Sequence, residues 1–175
     1  LYQEETARKF CRGKLELVTC NPSLLLGPGD ERLSSTRDVL SFLAREIPLV
    51  PRGGLSFVDV RDVAAILPVA MDRGADGDRY LLGAANWSFS DYFGRLSRLT
   101  KVSAPVLKVG GRLPVLATRL QAAVYEKLGR KAPIEPASVE MADHFWYFDS
   151  GKARAELGYE PVISRERGVQ ELAAS

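Results

Sequence analysis

The chain has 175 residues, 46% of them apolar and 26% charged, and its 24 basic residues nearly balance 22 acidic ones for a net charge of +2. Roughly 80 apolar side chains are enough for the core of one ordinary domain and exclude disorder, while the balanced charge, with no Lys/Arg-rich run, argues against a nucleic-acid partner. No apolar run approaches the roughly 18 residues of a membrane span and the opening lacks the zones of a signal peptide, so a cytoplasmic protein with no membrane partner is expected. Residues 2–12, rich in Glu, Ala, Arg and Lys, predict a helix. No Ser, Thr, Asp or Asn stands before Leu1 to cap it, and the chain does not open on Met, so missing upstream sequence is expected. Residues 15–20 alternate as a buried strand, ended by Pro22 and followed by the turn-rich run Gly27, Pro28, Gly29, Asp30.

Ser34, Ser35 and Thr36 are candidate caps for a helix over 38–46. Residues 48–51 read as extended, Arg52, Gly53 and Gly54 as a turn, and 55–58 as a short strand. Asp59 caps the next helix, with Asp62 in its first turn and Val63, Ile66, Leu67, Ala70 and Met71 as its buried face. Residues 79–82 form a strand, and Ser88 caps a helix carrying Phe89, Tyr92, Phe93, Leu96 and Leu99. A short strand over 105–109 and a helix from Pro114 to about residue 129 follow, then a helix over 138–144, a strand over 145–148 and a helix over 150–157 closed by Gly158. The order predicts a parallel α/β layer with a helical lobe attached.

Few motifs of catalysis are present. The glycine run fails as G-x-G-x-x-G because Arg32 stands at the third position, and none of the six tyrosines is followed four places on by Lys. Cys11 and Cys20, with His144 as the one histidine, cannot make a zinc site, and no metal is expected; the thiols are read as reduced and buried. Asp59, Arg61 and Asp62 are read as a helix cap with an ion pair, His144 as a helix-end residue, and Trp87, Phe89, Tyr92 and Phe93 as core.

Four stretches carry a resemblance. They are N-P-S-L-L-L-G-P-G-D from Asn21, G-G-L-S-F-V-D-V-R-D-V-A from Gly53, G-D-R-Y-L-L-G from Gly77 and K-A-R-A-E-L-G-Y-E-P from Lys152. In this order they resemble landmarks of the extended short-chain dehydrogenase/reductases, the NAD-dependent epimerase/dehydratase superfamily, nearest its dihydroflavonol-reductase-like and hopanoid-associated epimerase-like branch. The resemblance runs from Leu1 to about Pro161 and implies the C-terminal half of such a protein. The implied fold is the C-terminal part of a Rossmann-type doubly wound parallel sheet (1–86) plus a mostly helical substrate-binding lobe (87–175), packed as one unit.

By resemblance the cofactor is NAD or NADP, with Pro22, Ser23, Leu24 and Leu25 bordering the nicotinamide carboxamide and Ser35 and Thr36 nearby. The catalytic Tyr and Lys and the glycine loop would lie upstream of Leu1, in a missing N-terminal Rossmann half, and the chain alone is expected to be inactive. Arg52 and Phe57 are the candidate substrate residues. Members acting on nucleotide sugars usually carry Arg just before the F-V-x-V-x-D stretch; Leu55 and Ser56 stand here, which implies a small, weakly charged carbonyl or hydroxyl substrate. A homodimer is compatible with the family. The alternative is a non-catalytic binding or regulatory module with the same fold.

Overall fold

The computed structural model describes residues 2–33, 35–47, 49–105, 107–109, 116, 118, 125 and 136–162. In chain order they form α1 (Tyr2–Cys11), β1 (Thr19–Pro22), β2 (Leu24–Leu26), α2 (Thr36–Leu43), β3 (Leu49–Pro51), β4 (Gly54–Asp59), α3 (Val60–Arg73), β5 (Arg79–Leu82), β6 (Ala85–Ser88), α4 (Phe89–Thr100), β7 (Leu107–Val109), α5 (Pro136–Ala142), β8 (Phe145–Trp146) and α6 (Gly151–Leu157). The predicted helix from Pro114 lies outside the described residues apart from Leu116, Thr118 and Tyr125.

β1 pairs in parallel with β5, β2 in parallel with β4, and β3 in parallel with β7, while β6 runs antiparallel to β4 and β8 parallel to it. Because side chains alternate along a strand, β4 serves two cores. Phe57 joins Leu26, Val39, Phe42, Val50, Tyr92, Phe93 and Leu96 on one side. Val58 joins Val63, Ile66, Ala70, Tyr80, Leu82, Ala153, Leu157 and Tyr159 on the other. The parallel layer expected from the sequence is therefore present, and Trp87 and Phe89 pack at the rim of the first core while Tyr92 and Phe93 are buried in it.

Several boundaries differ from the sequence reading. The strand expected over 15–20 starts only at Thr19 and runs on to Pro22. Residues before it are held by a turn instead: Leu17 donates its N–H to Asp76 Oδ1, and Gly77 donates back to Leu17 O. Strands β2 and β6 were not expected; both are short and earn their pairing from β4, not from local periodicity. The helix expected over 38–46 is Thr36–Leu43, stopped by Arg45 at φ 60°. In α3 only Val63, Ile66 and Ala70 of the expected apolar face are buried, whereas Leu67 is 43% and Met71 85% exposed. The helix turns a narrower stripe to β4 and α6 than its composition suggests. Cys11 and Cys20 are free thiols, half-buried rather than buried, and burial raises the Cys20 pKa.

Asp59 caps α3 as expected, its Oδ1 accepting from Arg61 N–H at 2.8 Å, and Arg61 returns its Nε and Nη2 to the same carboxylate at 2.9 and 2.8 Å. Burial pushes the Asp59 carboxyl up, but the hydrogen bonds and charge of Arg61 outweigh it and hold the group below the usual value of 3.8. A carboxyl depressed by folding stabilises the fold above its unfolded pKa and loses that contribution as pH falls through the folded one. Asp59→Asn keeps a cap-competent side chain but loses the charge, so it is expected to cost about 1–2 kcal/mol at pH 7. The gap to the unsubstituted chain narrows below about pH 4, read by urea titration from pH 7 down to 3. A gap unchanged with pH would contradict the ion pair.

Candidate functional site

Open α/β sheets bind ligands beyond the carboxyl ends of their strands, where neighbouring strands part. That place is marked here by one residue. The extended run from Thr19 pairs with β5 as far as Pro22 opposite Leu82, and two residues later Leu24 faces Phe57 of β4. Ser23 stands between, its N–H donating to Leu82 O at 2.9 Å. Pro22 is exposed and has no N–H to give; Leu24 and Leu25 are half-buried, one against each core. The Ser23 hydroxyl is buried and has no hydrogen-bond partner among the described residues. A buried polar atom without a partner is costly, and this one lies where the pairing with β5 gives way to the pairing with β4.

The surroundings are firmly tied. Gly27 follows β2 with φ 141°, and a Cβ there would come within 2.7 Å of Val60 Cγ1, so only glycine lets the chain turn over the start of α3. Ser35 heads α2 without using its side chain; the Asp30 carboxylate instead accepts from both Ser35 N–H and Thr36 N–H at 2.9 Å. The capping expected of Ser35 and Thr36 thus falls to Asp30, and Ser34 lies outside the described residues. At the end of β5, Ser150 Oγ accepts from Gly83 N–H at 2.8 Å and donates to Gly83 O at 3.0 Å. This fastens the start of α6 to the candidate edge. Ser56 Oγ is buried nearby, without a partner among the described residues, where a Cβ on Gly83 would come within 2.6 Å of it. The clamp by Ser150 was not expected from the sequence; a contact across 67 residues leaves no local signal.

Of the expected site residues, the fold gathers Pro22, Ser23, Leu24 and Leu25 beside Phe57. Phe57 itself is 3% exposed, with ring centroids 4.9 Å from Tyr92 and 5.3 Å from Trp87. Arg52 is exposed before the opposite end of β4, five residues and roughly 16 Å of strand away from Phe57.

Burial raises the Asp38 carboxyl, against the charge of Arg37. Desolvation, aided by Glu156 and Asp78, pushes the Tyr80 hydroxyl up to about 12, and desolvation with the charge of Asp62 does the same to Tyr159. Desolvation likewise raises Tyr92. His144 is exposed just past α5, its ring edge-on to Trp146. Among the described residues no three His, Cys, Asp or Glu side chains gather to hold a metal ion, and no helix is long and apolar enough to cross a membrane.

Comparison with known proteins agrees with this architecture. No protein-family model matches the chain. A Synechocystis protein assigned as a dihydroflavonol 4-reductase is 35% identical over 162 residues, covering 90% of this chain and 47% of its own. Sterol demethylase protein B of Methylococcus capsulatus is 29% identical over 154 residues, covering 86% of this chain and 47% of its own. Among solved structures, gox2253 superposes with a TM-score of 0.80 at 27% identity, over 98% of this chain and 52% of that one. A dTDP-glucose 4,6-dehydratase from Streptomyces venezuelae, solved with NAD bound, shares the fold with a TM-score of 0.65 at 18% identity, over 98% of this chain and 47% of its own. The chain spans about half the length of the curated relatives it matches.

Proposed function

We propose that this chain, related over nearly its whole length to the extended short-chain dehydrogenase/reductases, acts as the substrate-binding half of an NAD(P)-dependent oxidoreductase or epimerase. The observation that carries the reading is the buried, unpartnered Ser23 hydroxyl at the point where the chain passes from β5 to β4. With Pro22, Leu24 and Leu25 it forms the edge that would border the carboxamide of NAD or NADP, and Ser35 and Thr36 close the loop beside it. The nicotinamide, when bound, supplies hydride exchange with a carbon bearing a hydroxyl or carbonyl group. This chain's part is to seat the ring, exclude water and present the substrate.

In the same reading residues 1–86 complete the dinucleotide-binding layer and 87–175 form the substrate lobe. β8 pairs with β4 and α6 packs on β5, which supports reading the two parts as one unit. Arg52 meets the substrate from the exposed turn before β4, and Phe57 supports the wall from within the core. The general acid/base and the pyrophosphate loop come from an N-terminal Rossmann partner half, because this sequence holds neither Y-x-x-x-K nor a glycine-rich phosphate loop. The 175-residue chain is therefore expected to bind NADH or NADPH more weakly than micromolar and to reduce no carbonyl compound. Fluorescence titration and a steady-state assay with a carbonyl panel test this. Micromolar binding or turnover by the chain alone would overturn the division of labour.

A further inference from the structure

One peptide unit ties the candidate edge to the start of α6. The Leu82 carbonyl accepts the Ser23 N–H at 2.9 Å, and the N–H of the same unit, on Gly83, donates to Ser150 Oγ at 2.8 Å. A trans peptide is planar and points its carbonyl and its N–H to opposite sides, and the described residues hold no cis bond. Ser23 and Ser150 therefore grip one rigid plate from its two edges. The Ser150 hydroxyl also donates to Gly83 O at 3.0 Å, so it fixes the following peptide unit as well.

Gly83 has no Cβ to restrict rotation of the plate. The space a Cβ would fill is closed by Ser56, whose Oγ makes no hydrogen bond among the described residues. Ser150 is 4% exposed, so water does not compete for its hydroxyl. That hydroxyl is also withheld from the ordinary use of its position. Ser150 is the N-cap residue of α6 yet makes no cap bond, and Asp149 Oδ1 takes the Gly151 N–H at 2.9 Å in its stead. The neighbouring backbone is fastened separately. Asn86 Nδ2 donates to Phe148 O at 3.1 Å, and Asn86 Oδ1 accepts from Phe148 N–H at 3.2 Å. Two side chains thus zip 148–150 to 83–86, and of these four bonds only one, Gly83 N–H to Ser150 Oγ, reaches the peptide unit that receives the Ser23 N–H.

We propose that Ser150 is a positioning residue of the candidate edge: by orienting the Leu82–Gly83 peptide it sets Ser23 and, beyond it, Leu24 and Leu25. That this edge seats a nicotinamide rests on the oxidoreductase reading; the setting of Ser23 by Ser150 does not. The test compares the 175-residue chain with Ser150→Ala and with Asn86→Ala, which removes two bonds of the same strap and leaves the plate untouched. Thermal melts confirm that both variants are folded. Amide hydrogen exchange is read by nitrogen-15 spectra against the amides of β4, which report overall opening. Ser150→Ala is expected to speed exchange at Ser23 and Gly83 about tenfold, and Asn86→Ala to leave both within about twofold. With nicotinamide mononucleotide at millimolar concentration, the response of Ser23, Leu24 and Leu25 should weaken several-fold in Ser150→Ala and stay within about twofold in Asn86→Ala. Unchanged Ser23 exchange in Ser150→Ala, equal acceleration in both variants, or a nicotinamide response indifferent to Ser150→Ala would each overturn the proposal. No response to the nucleotide in the unsubstituted chain would refute the nicotinamide reading alone, and the contrast in Ser23 exchange then decides the role of Ser150.

Discussion

Gly53→Ala is expected to abolish stable folding, or to lower stability by about 3 kcal/mol or more. A Cβ on Gly53 would stand 2.1 Å from His144 O and 2.4 Å from Ala142 O. Both are backbone atoms, so no rotamer change relieves the collision. They are also fixed partners: Gly53 N–H donates to Ala142 O and Gly54 N–H to His144 O, each at 3.1 Å. Relief therefore means peeling the end of α5 and β8 away from β4. Gly94→Ala is the control, since nothing lies within 4 Å of a Cβ there and the residue is inside α4. It should be neutral or stabilising by up to about 1 kcal/mol. Thermal and urea melts of the two variants read the contrast directly, and similar melting of both would refute the close approach of the two backbones.

Phe57→Ala is expected to cost about 3–5 kcal/mol. The ring is packed between Tyr92 and Trp87 in the first core, and its removal leaves a cavity that β4, hydrogen-bonded on both edges, cannot close. Phe57→Leu, which keeps most of the volume, should cost less than about 2 kcal/mol. Denaturation midpoints decide the matter. A Phe57→Ala variant as stable as the unsubstituted chain would contradict the placement of the ring in the core.

The sequence revealed most where the signal is local. Asp59 and Ser88 cap their helices as their positions suggest, accepting from Arg61 N–H and Asp91 N–H. Arg79–Leu82 is a strand over its full predicted length, and Gly158 ends α6 in the left-handed conformation. Legibility failed where pairing across the chain decides the outcome. Pro22 read as a stop, yet β2 begins two residues later because Leu24 finds Phe57. Ser35 and Thr36 looked like caps, but the carboxylate that serves them is Asp30, upstream across the loop. The candidate edge shows the same division. Pro22, Ser23, Leu24 and Leu25 are legible as a strand end. The unpartnered Ser23 hydroxyl and the Ser150 clamp on Gly83 emerge only from the three-dimensional arrangement.

The seating of a nicotinamide group at Ser23 is tested most directly by amide chemical shifts. The 175-residue chain, labelled with nitrogen-15, is titrated with nicotinamide mononucleotide at millimolar concentration, and with adenosine monophosphate in parallel. The nicotinamide compound is expected to move the amide signals of Ser23, Leu24 and Leu25, with smaller shifts at Ser35 and Thr36, and the adenine compound to leave them in place. Ser23→Ala, which removes the buried hydroxyl, should weaken the nicotinamide response several-fold. Shifts clustered elsewhere, or equal responses to both compounds, would contradict the assignment of this edge.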